Sequence, residues 1–373
     1  MESLFDLDRP SKASVKLMVL LAVFLFAGTI FMWNNHGLYS TPLAKIVDVQ
    51  ETFNRTESGM DDTEEDYYDQ KVTARLMNGV NKGAIISLDH LRSESGVYDE
   101  NLQEGDDIFV SYHQDLDEWS LDGVKRDQFL ALASAIFILA VALVGRYRGI
   151  LSIISVIVNI LVFTLVINLY LKGVNILVPT IFAVIFFSIF SLLLYCGFRL
   201  LTFVAILTTL CGLGASMLIM LIVIAQTNYD GVWVESIDFL IIETDYRSVF
   251  FAGILIGGLG GIMDIAITIT SSLFELKGDN PEMTSKELME SGKNIGRDIM
   301  GTMVNVMFFT FLGGSLPIIL LSVKNGYRII DYLTNFATLE IVRFLVGGIG
   351  LVVTIPISLY IVIFILQKRG RKS

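Results

Sequence analysis

The sequence has few of the residues that carry common enzyme chemistry or that cross-link small domains. Among 373 residues there are only two cysteines and three histidines. Cys196 and Cys211 both lie in apolar runs, which excludes a disulfide framework and a C-x-x-C zinc site. The histidines, at positions 36, 90 and 113, show no H-E-x-x-H spacing, and no nucleophile–base pattern or phosphate loop accompanies them. The sequence therefore predicts no enzyme, no cofactor and no metal site.

Charge is also scarce and unevenly distributed. Charged residues make up 17% of the chain and hydrophobic residues 53%, with a mean hydropathy of +0.64, which is typical of a membrane protein. Residues 45–124 contain 20 acidic and 6 basic side chains, a net charge of −14, so the rest carries about +3 of the total of −11. An acidic soluble portion is thus joined to a slightly basic membrane portion, and nucleic acid is not an expected partner.

Long apolar runs predict an α-helical polytopic protein with about eight transmembrane helices in the lipid bilayer. A helix needs roughly 20 residues to cross the hydrocarbon core. The first run is expected to be a retained anchor after a cytoplasmic N-terminus, 1–15, and the other seven to form a bundle over 127–366. A cleaved signal peptide is the alternative for the first run, but its apolar core reaches Trp33 and no A-x-A site follows. The runs are 16–34, 127–145, 149–171, 176–197, 200–225, 248–274, 298–322 and 343–366.

Basic residues predict the orientation, because Lys and Arg accumulate in cytoplasmic loops. With eight crossings, every main basic group falls on the same side of a bacterial cell membrane. Both termini are then cytoplasmic, and residues 367–373 form a basic tail. The groups are Arg9, Lys12 and Lys16; Arg146 and Arg148; Arg199; and Lys277, Lys286, Lys293 and Arg297.

The segment 35–126 is the only stretch able to form a soluble domain, and it lies on the extracytoplasmic side. Five short alternating runs separated by Gly, Asn and Asp turns predict a small all-β domain, an OB-like or SH3-like barrel. The acidic run Glu57–Asp69 offers oxygen ligands for Ca²⁺ but lacks the spacing of a calcium loop, so a flexible solvated loop is favoured. The runs are AKIVDVQE, KVTARLM, GAIISLDHL, DDIFVSYH and EWSLDGV.

One helical face of the run 248–274 is small or polar along its length. Gly257, Gly261, Asp264, Thr268, Ser271 and Glu275 follow at steps of four and three. A carboxylate at the bilayer centre costs about 2.5–3.5 kcal/mol on insertion scales, so such residues usually face a protein interior or a wet cavity. We expect Asp264 to lie in a sheltered seam where it can gain and lose a proton, with Gly257, Gly260 and Gly261 allowing close helix packing. The alternative is a purely structural hydrogen bond to a neighbouring helix.

The next run offers polar partners. Asp298, Thr302 and Asn305 step by four and three, and Asn159 in the run 149–171 is a further candidate. Arg297 is expected at the membrane edge, either functional or ion-paired with Asp298. Before them, Thr284 and Glu287 form a T-x-x-E capping box that predicts a short cytoplasmic helix.

Two segments carry a family resemblance. GGLGGIMDIAITITSSLFEL and SGKNIGRDIMGTMVNVMFFTFLGGSLP, between about Val249 and Pro317, resemble the YibE/F family of bacterial multi-span membrane proteins. The extracytoplasmic domain after the first span makes the chain similar to the longer, YibE-type members. The resemblance implies a hetero-oligomer with a shorter YibF-type protein, and it implies no settled activity.

A weaker similarity concerns Gly260-x-x-x-Asp264. This helix is similar to the G-x-x-x-D span of RND-type permeases and of the SecD/SecF export proteins, where intramembrane aspartates couple proton flow to work in an outer domain. The chain departs from that pattern in having four spans, rather than two, before the motif, a small insert, and one such helix per chain. The similarity implies a proton-coupled transporter or export accessory, with Asp264 as the protonatable group and Thr302 and Asn305 as its relay. The alternative hypothesis is a non-transporting scaffold or sensor whose outer domain binds an envelope partner.

Overall fold

The computed structural model describes residues 12–58, 64–96, 99–113, 115–226, 246–324, 326–330, 333 and 338–370. It divides into two compact units, residues 1–150 and 151–373. Parts of the sequence discussed above lie outside the described residues: Arg9, residues 59–63 of the acidic run and residues 371–373 of the basic tail. Residues 227–245, before the run 248–274, lie outside them too.

Within the described residues, the first unit holds the apolar helix α1, a small antiparallel sheet and the beginning of helix α2. Helix α1 (Lys12–Trp33) and a single 3-10 turn (His36–Leu38) lead into five strands. The strand order is β3-β2-β1-β4-β5, and every neighbouring pair is antiparallel. The strands are β1 (Leu43–Ser58), β2 (Glu64–Leu76), β3 (Ile85–Ser93), β4 (Asp107–His113) and β5 (Glu118–Val124).

The core of the sheet follows the two-residue alternation of its strands, because successive side chains in a strand point to opposite faces. On β2, Val72, Ala74 and Leu76 are buried, while Lys71, just before them, and Arg75, between Ala74 and Leu76, are exposed. The remaining core residues come from the other strands and from the segment before β4. They are Ala44, Ile46, Ile86, Leu88, Leu102, Ile108 and Val110.

Strands β1 and β2 continue as a paired hairpin well beyond this core. The register runs from Ala44↔Leu76 to Ser58↔Glu64, and every β1 residue from Gln50 onward is exposed. The prediction of a flexible loop over Glu57–Asp69 is therefore wrong for the two ends of that run, which lie in strands. Backbone hydrogen bonds between β1 and β2 continue both strands into this run, where apolar and polar side chains no longer alternate.

A buried lysine joins the end of α1 to the start of the next helix. Lys125 is fully buried, and its Nζ donates to the Met32 carbonyl at 2.7 Å and to Gln128 Oε1 at 3.0 Å. It also forms an ion pair with Asp127 at 2.7 Å. Asp127 accepts a hydrogen bond from Tyr39, and burial together with this bond raises the pKa of the Tyr39 hydroxyl. These contacts offset the cost of burying the ammonium group.

Helix α2 (Asp127–Leu171) is 45 residues long but is broken at Arg146, where φ is 53° and ψ is −133°. A non-glycine residue with these angles is not helical. A Cβ atom at Gly149 would collide with the Val141 carbonyl oxygen, so the chain after the break lies directly against the helix before it. The break falls between the two runs predicted separately, 127–145 and 149–171.

The second unit contains the remainder of α2 and five further helices. Helix α7 is central, since it packs against α4, α5 and α6. Ile262, Ile265 and Ile269 of α5, together with Leu351 and Val362 of α7, are almost fully buried and form the middle of the core. The helices are α3 (Leu177–Cys196), α4 (Leu200–Gln226), α5 (Tyr246–Asp279), α6 (Ser285–Lys324) and α7 (Thr338–Gly370).

Six of the described helices, α2 to α7, are long and apolar enough to cross a membrane, and α1 contributes a shorter apolar stretch, Met18–Trp33. Helix α6 begins at the predicted capping box: the Thr284 backbone N–H donates to Glu287 Oε2 at 2.7 Å, and the Glu287 N–H to Thr284 Oγ1 at 3.3 Å. The helix predicted to start at this box and the run 298–322 belong to one element, because α6 runs unbroken for 40 residues. Its early glycines, Gly292 and Gly296, are buried against α7 and do not interrupt it.

Candidate functional site

Asp264 lines an open, mostly apolar cavity of about 350 Å³ within the second unit. The cavity lies among the later part of α2, α3 and α5. Its polar side chains are set in an otherwise apolar wall. The lining residues are Leu151, Ser152, Ser155, Val156 and Asn159 of α2; Ser191, Leu192, Leu194 and Tyr195 of α3; and Met263, Asp264 and Ile267 of α5.

Packing of α5 fixes the direction of Asp264. Ile262 and Ile265, on either side of it in the sequence, are completely buried, as is Ile269 one turn further on. At 100° per residue, burying this face in the core turns Asp264 away from it. The Asp264 side chain is correspondingly exposed within the chain and reaches the cavity rather than the core.

A short hydrogen-bond chain forms the opposite wall. Ser155 is buried, and its hydroxyl lies 2.9 Å from the hydroxyl of Ser191. Asn159 Nδ2 donates to Ser191 Oγ at 3.2 Å. The other end of that amide, Asn159 Oδ1, is buried and has no hydrogen-bond partner among the described residues. A buried acceptor without a donor is costly, so this wall contains one unsatisfied acceptor.

The structure does not bring the α6 candidates to this cavity. Thr302 and Asn305 are exposed and donate to carbonyls of their own helix, those of Ile299 and Gly301, both at 2.8 Å. Arg297 and Asp298 are also exposed; among the described residues Arg297 contacts Asn294 at 3.4 Å, and no ion pair joins it to Asp298. None of these four residues lines the cavity. Their role in a relay stays a prediction.

The remaining α5 candidates lie on the flanks of the site. Thr268 is half-buried, and its carbonyl accepts a hydrogen bond from Ser271 Oγ at 3.0 Å. Of the three glycines, Gly261 lies tightly against Leu351 of α7, where an added Cβ would be 2.7 Å from Leu351 Cδ2. A Cβ atom added at Gly257 would lie 3.8 Å from Phe311 Cζ of α6. A Cβ at Gly260 would meet none of the described atoms within 4 Å.

Four polar lining residues escaped the sequence analysis: Ser152, Ser155, Ser191 and Tyr195. A signal was present, since Ser152, Ser155 and Asn159 step by three and four along α2, as Ser188, Ser191 and Tyr195 do along α3. Single serines are common in membrane helices, so the pattern gains meaning only once α2, α3 and α5 are known to be neighbours. No group of three or more His, Cys, Asp or Glu side chains within the described ranges is arranged to hold a metal ion.

Comparison with known proteins covers nearly the whole chain. Residues 37–124 match the YibE/F family N-terminal domain, and residues 133–368 match the family described as YibE/F-like protein. No curated protein and no solved structure matches the chain. Because the two matches include both the sheet of the first unit and the helices that form the Asp264 cavity, the chain belongs to the YibE/F family.

Proposed function

We propose that the protein is a proton-coupled membrane transporter or export accessory, in which Asp264 is the group that gains and loses the proton. The supporting observation is the cavity, whose lining includes both Asp264 and Asn159, and the Oδ1 of Asn159 has no hydrogen-bond partner among the described residues. A protonated carboxyl can donate to such an acceptor, and an ionised one cannot. Protonation would therefore change the hydrogen bonding between α5 and α2, which is a means of coupling proton binding to helix movement.

The proposed membrane arrangement has eight crossings with both termini in the cytoplasm of a bacterial cell. A continuous 45-residue helix would be about 68 Å long at 1.5 Å per residue, more than twice the hydrocarbon thickness. The break at Arg146 divides α2 into two segments of crossing length. With α1 and α3 to α7, the total is eight. The sheet of the first unit, proposed to be an OB-like or SH3-like barrel, then lies outside the cell.

Proton flux into proteoliposomes under an imposed membrane potential tests the proposal. Asp264→Asn keeps the shape of the side chain but cannot release a proton, so its flux should fall to the level of empty liposomes. Asp279→Asn, at the cytoplasmic end of the same helix, is the matched control and should conduct as the wild type does. Equal flux from Asp264→Asn and the wild type, or no flux above empty liposomes from the wild type, would contradict the proposal.

A second candidate function is a scaffold or sensor whose outer domain binds an envelope partner. The observation that favours it is the part of the β1–β2 pair that lies beyond the buried core. It carries the exposed Phe53, which contacts the partly exposed Tyr68, and an acidic end with Glu57 and Glu65. Tyr68 still pairs with Arg92 of β3, and only the acidic end is two-stranded. Such a segment contributes little to a folded core, and an exposed aromatic side chain is typical of binding surfaces. Deleting residues 45–124 separates the candidates: a scaffold loses all function, whereas the transporter keeps proton flux.

Co-purification with a shorter YibF-type protein tests the proposed hetero-oligomer.

A further inference from the structure

Helix α6 exposes one continuous face along its membrane length. No residue of its most apolar stretch is buried within the chain. It packs on α7 through the opposite face, where Gly292 and Gly296 meet Leu359 and Ile355. Six of its exposed residues, at seven-residue spacing, are called here the α6 seam: Asp298, Thr302, Asn305, Phe309, Leu312 and Leu316, of which Leu312 also lines a cavity against α7.

The α6 seam has the spacing of a helix–helix contact. Its members follow one another at steps of four, three, four, three and four. This is the seven-residue repeat that keeps two helices in contact along a left-handed supercoil. Residues between them, such as Gly301, Val306 and Gly313, are exposed too, so the spacing allows a second helix on this face but does not by itself require one.

The polar member of the α6 seam points to a second copy of the same helix. Asn305 Nδ2 donates to the Gly301 carbonyl at 2.8 Å, and nothing among the described residues donates to its Oδ1. An amide carries both donor and acceptor, so the same amide in a second copy satisfies both. Half of the α6 seam is polar, since Asp298 and Thr302 belong to it as well, and an Asn at a seam position is known to fix the register and the number of helices.

The charges at the cytoplasmic end are also self-complementary. Arg297 and Asp298 are adjacent and exposed, and they are not paired with each other. Two copies inserted in the same direction place their α6 helices parallel, with equal residues at equal depth. Each Asp298 then lies within reach of the Arg297 of the other copy. We propose that the α6 seam is the interface of a parallel, two-fold symmetric homodimer.

Disulfide scanning in native membranes tests this interface. In a Cys196→Ala, Cys211→Ala background, single cysteines replace each residue from 302 to 316, and oxidation is followed on non-reducing gels. Disulfides require Cα atoms within about 7 Å, so homodimer bands should peak at positions 302, 305, 309, 312 and 316 and be weak at 303, 307 and 311. Phe182→Cys on α3 is the matched control, since Phe182 and Phe309 are 70% and 64% exposed, and it should not cross-link.

A second variant tests the amide. With Phe309→Cys as the reporter, Asn305→Leu removes the polar contact while keeping an apolar surface, and the cross-linked fraction should fall roughly three- to fivefold. Cross-linking without the seven-residue period, or as strong at Phe182→Cys, would overturn the homodimer. So would adducts in which mass spectrometry finds another protein, because the seam would then be an interface to a different chain. An unchanged cross-linked fraction in Asn305→Leu would show that the Asn305 amide does not stabilise the homodimer.

Discussion

At the residue scale, glycines decide how closely α7 approaches the helices around it. A Cβ atom at Gly212 of α4 would collide with Thr354 Oγ1 and lie 3.0 Å from Ile262 Cγ2. A Cβ atom added at Gly350 of α7 would likewise lie only 2.8 Å from Ser216 Cβ of α4. Without a hydrophobic drive between helices in lipid, such close packing is a main source of association.

Gly212→Ala should therefore destabilise the bundle. Overpacking of this kind costs about 1–3 kcal/mol, because α4 and α7 must move apart or Thr354 must leave its rotamer. Gly214→Ala on the same helix is the control, since none of the described atoms lies within 4 Å of a Cβ there. Thermal unfolding in detergent should show a lower midpoint for Gly212→Ala only. Equal midpoints for the two variants would show that α4 and α7 are not in close contact.

The sequence points to Asp264 and Asn159, which both line the cavity, but not to the serines and the tyrosine beside them. Asp264 stands out because a carboxyl in an apolar run is rare, and it does line a cavity. Thr302 and Asn305 were favoured as partners because α6 follows α5 in sequence. Helical periodicity shows which residues share a face and gives no information on which helices pack together, so Asn159, a distant residue, was only a further candidate.

At the element scale, the break in α2 separates two helical segments that the sequence had already divided. Arg146 and Arg148 interrupt the apolar run, and glycines stand at 145 and 149. The continuity of α6 was not predictable in the same way. The early part of α6 is polar, so the sequence predicts a short cytoplasmic helix there. Its packing against α7 shows that this helix continues without a break into the run 298–322.

The two glycines at the break make different predictions. Gly149→Ala places a methyl group against the Val141 carbonyl, so it should lower stability by about 1–3 kcal/mol. Gly145→Ala meets none of the described atoms and should be neutral or slightly stabilising. Denaturant unfolding followed by circular dichroism measures both. A neutral Gly149→Ala would contradict the close approach of the two segments.

At the scale of the whole molecule, the proposed eight crossings assign each loop to one side of the membrane. Gly173, between α2 and α3, should be extracytoplasmic, and Asn280, between α5 and α6, cytoplasmic. In a cysteine-free background, Gly173→Cys should react with a membrane-impermeant maleimide in intact cells. Asn280→Cys should react only after permeabilisation. If Gly173→Cys reacts only after permeabilisation, α2 does not cross twice as proposed. If Asn280→Cys reacts in intact cells, α3 to α5 do not cross as proposed.

The central claim concerns the proton on Asp264, and infrared spectroscopy measures it directly. Difference spectra of the wild-type protein in lipid, recorded as the pH is changed, should contain a band of a protonated carboxyl that disappears as the carboxylate forms. Asp264→Asn should lack that band, whereas Asp279→Asn should retain it. A pH-dependent carboxyl spectrum identical in the wild type and Asp264→Asn would show that Asp264 does not exchange a proton, and it would contradict the account.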